Sequence, residues 1–185
     1  MHYNIMDSLL FFLIYGFLGF LLETVFRSIA GRKVYISRGF LTNGFCPLYG
    51  ICALLIIEGF ILCELSLSNP LTAMIVATAG SIFLVTLIEY IVGRMLDRVF
   101  HYKLWDYSAY RLNLHSYICL EFSLLWGIMA LLLVYFVHPV MEVLVFAIPY
   151  NTRAVAVVLF LSMLIINASY QIRKRVYGGW DPLRN

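Results

Sequence analysis

Five long apolar runs follow one another along the chain, each of about 18 residues or more, and nothing else limits its fold as tightly. A run of that length crosses a bilayer as a helix, since about 20 residues at 1.5 Å rise cover the roughly 30 Å of hydrocarbon. Inside lipid every backbone N–H and C=O needs an internal partner, so open strands are excluded, and barrel strands of about ten residues would be too short to match. Composition agrees. Of 185 residues, 63% are hydrophobic and 12% charged, against about 45–50% and about 25% in a soluble domain. The expected fold is all-α and polytopic, an integral membrane helix bundle with spans at about 8–29, 47–67, 71–95, 117–137 and 152–172. The start MHYNIMDS has no basic stretch and no small-residue cleavage site follows, so the first run is expected to stay as a helix.

Spans two and three are separated by little more than SLSNP, whose Asn69 and Pro70 form a turn, whereas the gaps at 30–46 and 96–116 are longer and charged. Arg27, Arg32, Lys33 and Arg38 gather at the first gap, Arg94, Arg98, Lys103 and Arg111 at the third, and Arg173, Lys174, Arg175 and Arg184 on the tail. That is twelve of the thirteen basic residues, with Arg153 alone on the other face. The bias places both long loops and the C-terminus in the cytoplasm and the N-terminus outside. No repeat or linker divides residues 1–185, so a single transmembrane domain is expected. Five helices bury little against one another, and a homodimer or a partner subunit would cover the remainder.

Ionisable side chains within a span cost roughly 2.5–3.5 kcal/mol each, so Glu23, Arg27, Glu58, Glu89 and Glu121 need a reason. Glu23 lies about 10 Å in from the cytoplasmic end of its span, Glu89 at a similar depth, and Glu121 about one turn into span four. Three glutamates therefore share a layer that Arg27, Arg38, Arg94 and Arg111 can reach, which predicts a polar pocket open to the cytoplasm. Gly16, Gly19, Glu23 and Arg27 form one helical stripe, and Glu89, Gly93 and Asp97 another. Cys119, Ser123 and Gly127 share a face of span four from which Glu121 points away. The structural alternative is an intrahelical Glu23–Arg27 pair, with arginines neutralising the other carboxylates. Glu58 stands near the middle of span two without a basic residue at its depth, and is expected to be a neutral carboxyl bonded to another helix.

Residues 94–123 interleave seven aromatic rings with Asp97, Asp106, Arg111, Asn113 and His115. Such a segment either anchors at the headgroups or folds back to roof the pocket. The stretch SRGFLTNGFCPLYG (37–50) reads as a pocket wall, with Arg38 toward the glutamates, Asn43 and Gly44 as a turn and Pro47 opening span two. His115, Cys119 and Cys46 make a weak metal set, and no metal or other cofactor is expected. The four cysteines lack C-x-x-C spacing, and no nucleotide-binding, nucleophile-elbow or zinc-protease motif occurs. An ATPase would have to be another chain, and no nucleic-acid partner is expected.

The strings YGFLGFLLETVFRS, RGFLTNGFCPLYG, LIEYIVGRMLDRVF, LWDYSAYRLNLHSYICLEFSLLWG and VHP resemble the CmpB-like family of small bacterial membrane proteins, catalogued as ABC-transporter permeases. The resemblance covers about residues 8–140, and the combination of RGF, CP-x-YG and WDYS carries it. It extends to Glu23, Arg38, Gly39, Cys46, Pro47, Tyr49, Gly50, Glu89, Trp105, Asp106, Tyr107, Asn113, Glu121, Trp126 and Gly127. Glu58 and the asparagine of TNG depart from the pattern. The resemblance implies a transport subunit in the bacterial cytoplasmic membrane, working with an ATPase supplied in trans. From residues and resemblance together, the expected substrate-binding set is Glu23, Arg27, Arg38, Asn43, Tyr49, Glu89, Trp105, Asp106, Asn113 and Glu121. The alternative is an intramembrane enzyme or lipid-headgroup-binding protein at the cytoplasmic leaflet. A third possibility is a structural or regulatory partner without a substrate.

Overall fold

The computed structural model describes residues 3–34 and 44–177. Among these, five helical stretches are long and apolar enough to cross a membrane: Ile5–Ile29, Pro47–Ser66, Pro70–Phe100, Leu120–Phe146 and Tyr150–Arg173. The chain is an all-α, multi-pass membrane protein. Large apolar side chains line the outsides of these helices, with Phe83 70% and Phe136 68% exposed, a surface that suits acyl chains rather than water.

The helices are α1 (Ile5–Gly31), α2 (Pro47–Ser66), α3 (Pro70–Phe100), α4 (Leu120–Leu132), α5 (His138–Phe146) and α6 (Tyr150–Tyr177). Asparagines start two of them. The Asn4 side chain accepts from the Asp7 N–H at 2.9 Å, and Asn69 accepts from Leu71 and Thr72 just ahead of Pro70. At 1.5 Å per residue α3 is about 46 Å long, more than the roughly 30 Å of hydrocarbon. Its polar end, with Arg94, Asp97 and Arg98, takes the surplus.

Four spans fall within a few residues of expectation, and the fourth departs from it. It begins at Leu120 rather than 117, because Asn113–Leu114 (β1) and Ile118–Cys119 (β2) pair as a short antiparallel hairpin, Asn113 opposite Cys119 and Leu114 opposite Ile118. It also runs on past 137 to Phe146. A proline inside a helix removes one N–H and crowds the carbonyl four residues back. Ahead of Pro139 the chain relaxes into a π turn over Leu133–Val137, closed by the His138 N–H on the Leu133 carbonyl. The wider turn accommodates the ring without ending the span.

The chain divides into two compact units whose borders fall inside α2 and α5. In the unit made by Tyr3–Ile51 and Val145–Asn185, α1 packs on α6 around Leu13, Phe45 and Val157, with Leu9, Leu10 and Leu161 beside them. In the unit spanning Cys52–Leu144, α3 packs on α4. The buried residues of α3 recur at every fourth position, Ala73, Ala77, Ser81, Val85, Glu89 and Gly93, and meet the Ser123, Gly127 and Ala130 face of α4. Small residues bring the backbones close. A Cβ added at Gly127 would lie 2.7 Å from Ile82 Cδ1.

Candidate functional site

Glu89 sits on the buried stripe of α3, 5% exposed, where a carboxylate needs donors or a cation. It receives two neutral donors. Tyr107 Oη–H donates to Oε1 at 2.9 Å, and Trp126 Nε1–H, from α4, donates to Oε2 at 3.1 Å. Among the described residues no arginine or lysine comes within ion-pair distance of it. Hydrogen bonds to a charged group contribute about 1.5–3 kcal/mol each. Two of the carboxylate's roughly four acceptor positions are filled, which leaves capacity for a proton, a hydroxyl or a cationic group.

Tyr107 reaches Glu89 because the segment between α3 and α4 folds back as a block. His101 ends α3 in the left-handed region at φ 49°, its N–H on the Asp97 carbonyl. Trp105 Nε1–H donates to the Tyr117 carbonyl at 2.7 Å, and both rings lie over Gly93, 3.4 Å from where a Cβ would stand. Tyr117 Oη–H donates to Asp97 Oδ2 at 2.6 Å. Asn113 shapes the hairpin, donating to the Tyr110 carbonyl and accepting from the Ser116 N–H. His115 and Ser116, at φ 53° and 61°, form its tip with the Tyr117 N–H on the Leu114 carbonyl. Two non-glycine residues in that conformation cost of order 1 kcal/mol or more each. They are held there by the Tyr107 N–H on the Ser116 carbonyl and by Tyr90 Oη 3.3 Å from His115 Nδ1.

Asp106 is exposed, caps the turn at the Ser108 N–H and pairs with Lys103 at 3.3 Å. The Ser108 N–H, then Lys103, holds its carboxyl below the usual range. Glu121 stands exposed in the first turn of α4, where the helix dipole favours an acid. Burial, and then a hydrogen bond to Glu121, pushes the Cys119 thiol up. Tyr117 is likewise raised, by its bond to Asp97.

In the other unit Glu23 and Arg27 form an i, i+4 ion pair at 2.5 Å on α1. On the same stripe Gly16 lies under the Phe45 ring and Gly19 under Tyr49, whose Cβ and Cγ would stand 2.2–2.3 Å from an added Cβ. Tyr49 is thus a packing residue for α1. Beside them the Cys46 thiol is pushed up to about 11, first by burial and then by the Glu23 charge. Asp7 and Arg153, both buried, form an ion pair between α1 and α6, with the guanidinium over the Phe146 and Tyr150 rings.

Of the expected substrate-binding set, Glu89, Trp105 and Asn113 belong to one hydrogen-bonded block, whose surface carries Asp106. Arg38 and Asn43 lie outside the described residues. Glu58 is half-buried. Among the described residues no three of His, Cys, Asp and Glu gather as a metal-holding group. The donors to Glu89, Tyr107 and Trp126, are not in the expected substrate-binding set, although both fall within the resemblance and Tyr107 sits beside Trp105 and Asp106 in WDYS. Nothing in the local sequence marked Tyr117.

No curated protein and no solved structure matches the chain. The sequence model of the family described as "Putative ABC-transporter type IV", ABC_trans_CmpB, matches residues 10–172. That stretch takes in all of α2 to α5 and most of α1 and α6, so the protein belongs to this ABC-transporter family.

Proposed function

We propose that the protein is the membrane subunit of an ABC transport system in the bacterial cytoplasmic membrane, with its ATPase supplied by another chain. The family match supports this reading, and the fold-back of residues 101–119 onto Glu89 carries it structurally. A motor that hydrolyses ATP in the cytoplasm must push on something stiff enough to pass motion into the spans. The block is internally bonded, exposes Leu112 and Leu114 beside Tyr110, and ends on a carboxylate inside the membrane. With both long gaps and the C-terminus in the cytoplasm, as the basic residues suggest, the block is the docking face and Glu89 the nearest point of the substrate path. Within the unit of α3 and α4, Trp105, Asp106, Asn113 and Glu121 complete the proposed polar site, in a single transmembrane domain that pairs with a second copy or a partner.

The test is co-purification. An ATPase that travels with the protein should hydrolyse ATP faster in its presence, and vesicles holding both should move a solute. If the protein retains no ATPase and such vesicles move nothing, the reading fails.

A further inference from the structure

The last three turns of α3 have two different faces. Glu89, Gly93 and Asp97 face the 101–119 block, while Tyr90, Ile91, Arg94, Met95 and Arg98 line an open groove of about 290 Å³ on an adjoining face of the helix, with Tyr90 at the border of the two. Arg94 Nη1 donates to Tyr90 Oη at 3.0 Å, with its guanidinium 5.8 Å from the centroid of that ring, and Tyr90 is fixed in turn by His115. Arg98 is exposed one turn further on. Neither guanidinium has a carboxylate partner among the described residues. Ile91 and Met95 stand 53% and 49% exposed between and beside the two cations.

We propose that this groove binds an anionic phospholipid, with its phosphate between Arg94 and Arg98 and its acyl chains along Ile91 and Met95. The arrangement fits that ligand on both counts. Two unneutralised arginines one turn apart match a phosphate, and their place at the end of a membrane-spanning helix matches a headgroup. The apolar residues continue the groove toward the hydrocarbon, where a free inorganic anion would gain nothing. Tyr90 pre-positions Arg94, so less side-chain freedom is lost on binding. The site is separate from Glu89 and stands whether or not the chain moves a substrate.

Native mass spectrometry of the full chain, released from nanodiscs of mixed phosphatidylglycerol and phosphatidylcholine, tests it. The wild type should retain phosphatidylglycerol in preference, and retention should fall about fivefold for each arginine changed to glutamine. Arg94→Lys/Arg98→Lys should keep most of it. Equal retention in Arg94→Gln/Arg98→Gln, or no preference in the wild type, overturns the proposal. So does inorganic phosphate binding as well as the lipid, which would make the groove a site for a soluble anion. If circular dichroism finds the double variant unfolded, Arg98→Gln alone decides, since that side chain is exposed and makes no bond among the described residues.

Discussion

Two buried carboxylates in this protein are satisfied in opposite ways. Asp7, in the unit of α1 and α6, meets a full counter-charge in Arg153, whose guanidinium is enclosed by two aromatic rings. Glu89, in the unit of α3 and α4, meets only the neutral donors of Tyr107 and Trp126. An ion pair of this kind fixes a place in the fold, although the buried Arg153 Nε has no hydrogen-bond partner among the described residues. A carboxyl group held by neutral donors has no counter-charge beside it and keeps its acceptor positions partly open. That difference separates a structural acid from one suited to work, and it locates the proposed transport site around Glu89 rather than Asp7.

The largest expected effect breaks the first half of the comparison. Asp7→Ala leaves Arg153 charged and enclosed, and should destabilise the protein by about 3–5 kcal/mol, read as a fall in the thermal midpoint in detergent. An apolar pair, Asp7→Leu with Arg153→Met, should recover most of that loss. Glu89→Leu takes the acceptor from two half-buried donors that can turn to other partners, and should cost less, about 1–3 kcal/mol in all. Its distinctive result should be local. Trypsin should cut faster at Lys103 and Arg111, and maleimide should reach Cys119, now 2% exposed, without any change at Cys46.

Glycines sharpen the contrast further. Gly19→Ala must displace the base of the Tyr49 side chain, close to its backbone, and should cost about 1–3 kcal/mol. At Gly93 a Cβ would find ordinary contacts of 3.4–3.5 Å, so Gly93→Ala should be neutral or stabilise by up to about 1 kcal/mol through helix propensity. The smallest effect is on pH. The native Cys46 thiol keeps its proton up to about 11, whereas the unfolded chain loses it near 9.0. The native state therefore binds more protons in that window, and stability should decline as pH rises from about 9 to about 11. Cys46→Ser should reduce the slope measured by denaturation at successive pH values, leaving the part that the raised Cys119 and Tyr117 supply.

The spans were legible because apolar length is a local signal, and the α3 stripe because its small and polar residues recur at a helical interval. The end of span four was not. Pro139 reads as a terminator, and only the π turn at Leu133–Val137 explains how the helix passes it. The pairing of Glu23 with Arg27 follows from their spacing of four. The donors of Glu89 do not follow from spacing, since Tyr107 and Trp126 lie 18 and 37 residues away and arrive only once the hairpin has folded. Asp7 is silent in the sequence for a similar reason, because its partner is 146 residues distant. Trp105 and Asn113 read in the sequence as ligand contacts, and in the structure their polar atoms bond to backbone. A residue that shapes a site and one that lines it look alike in sequence.

The most direct test of the account measures ATP hydrolysis by the co-purified ATPase with the wild-type chain, with Tyr107→Phe and with Asp7→Leu/Arg153→Met. Tyr107→Phe removes one donor to Glu89 and, with it, one of the bonds that join the block to α3. It should keep the ATPase bound but lose most of the stimulation, while the apolar pair leaves stimulation near the wild-type level. Full stimulation with Tyr107→Phe and its loss in the apolar pair would contradict the assignment, and place the working acid at Asp7 instead.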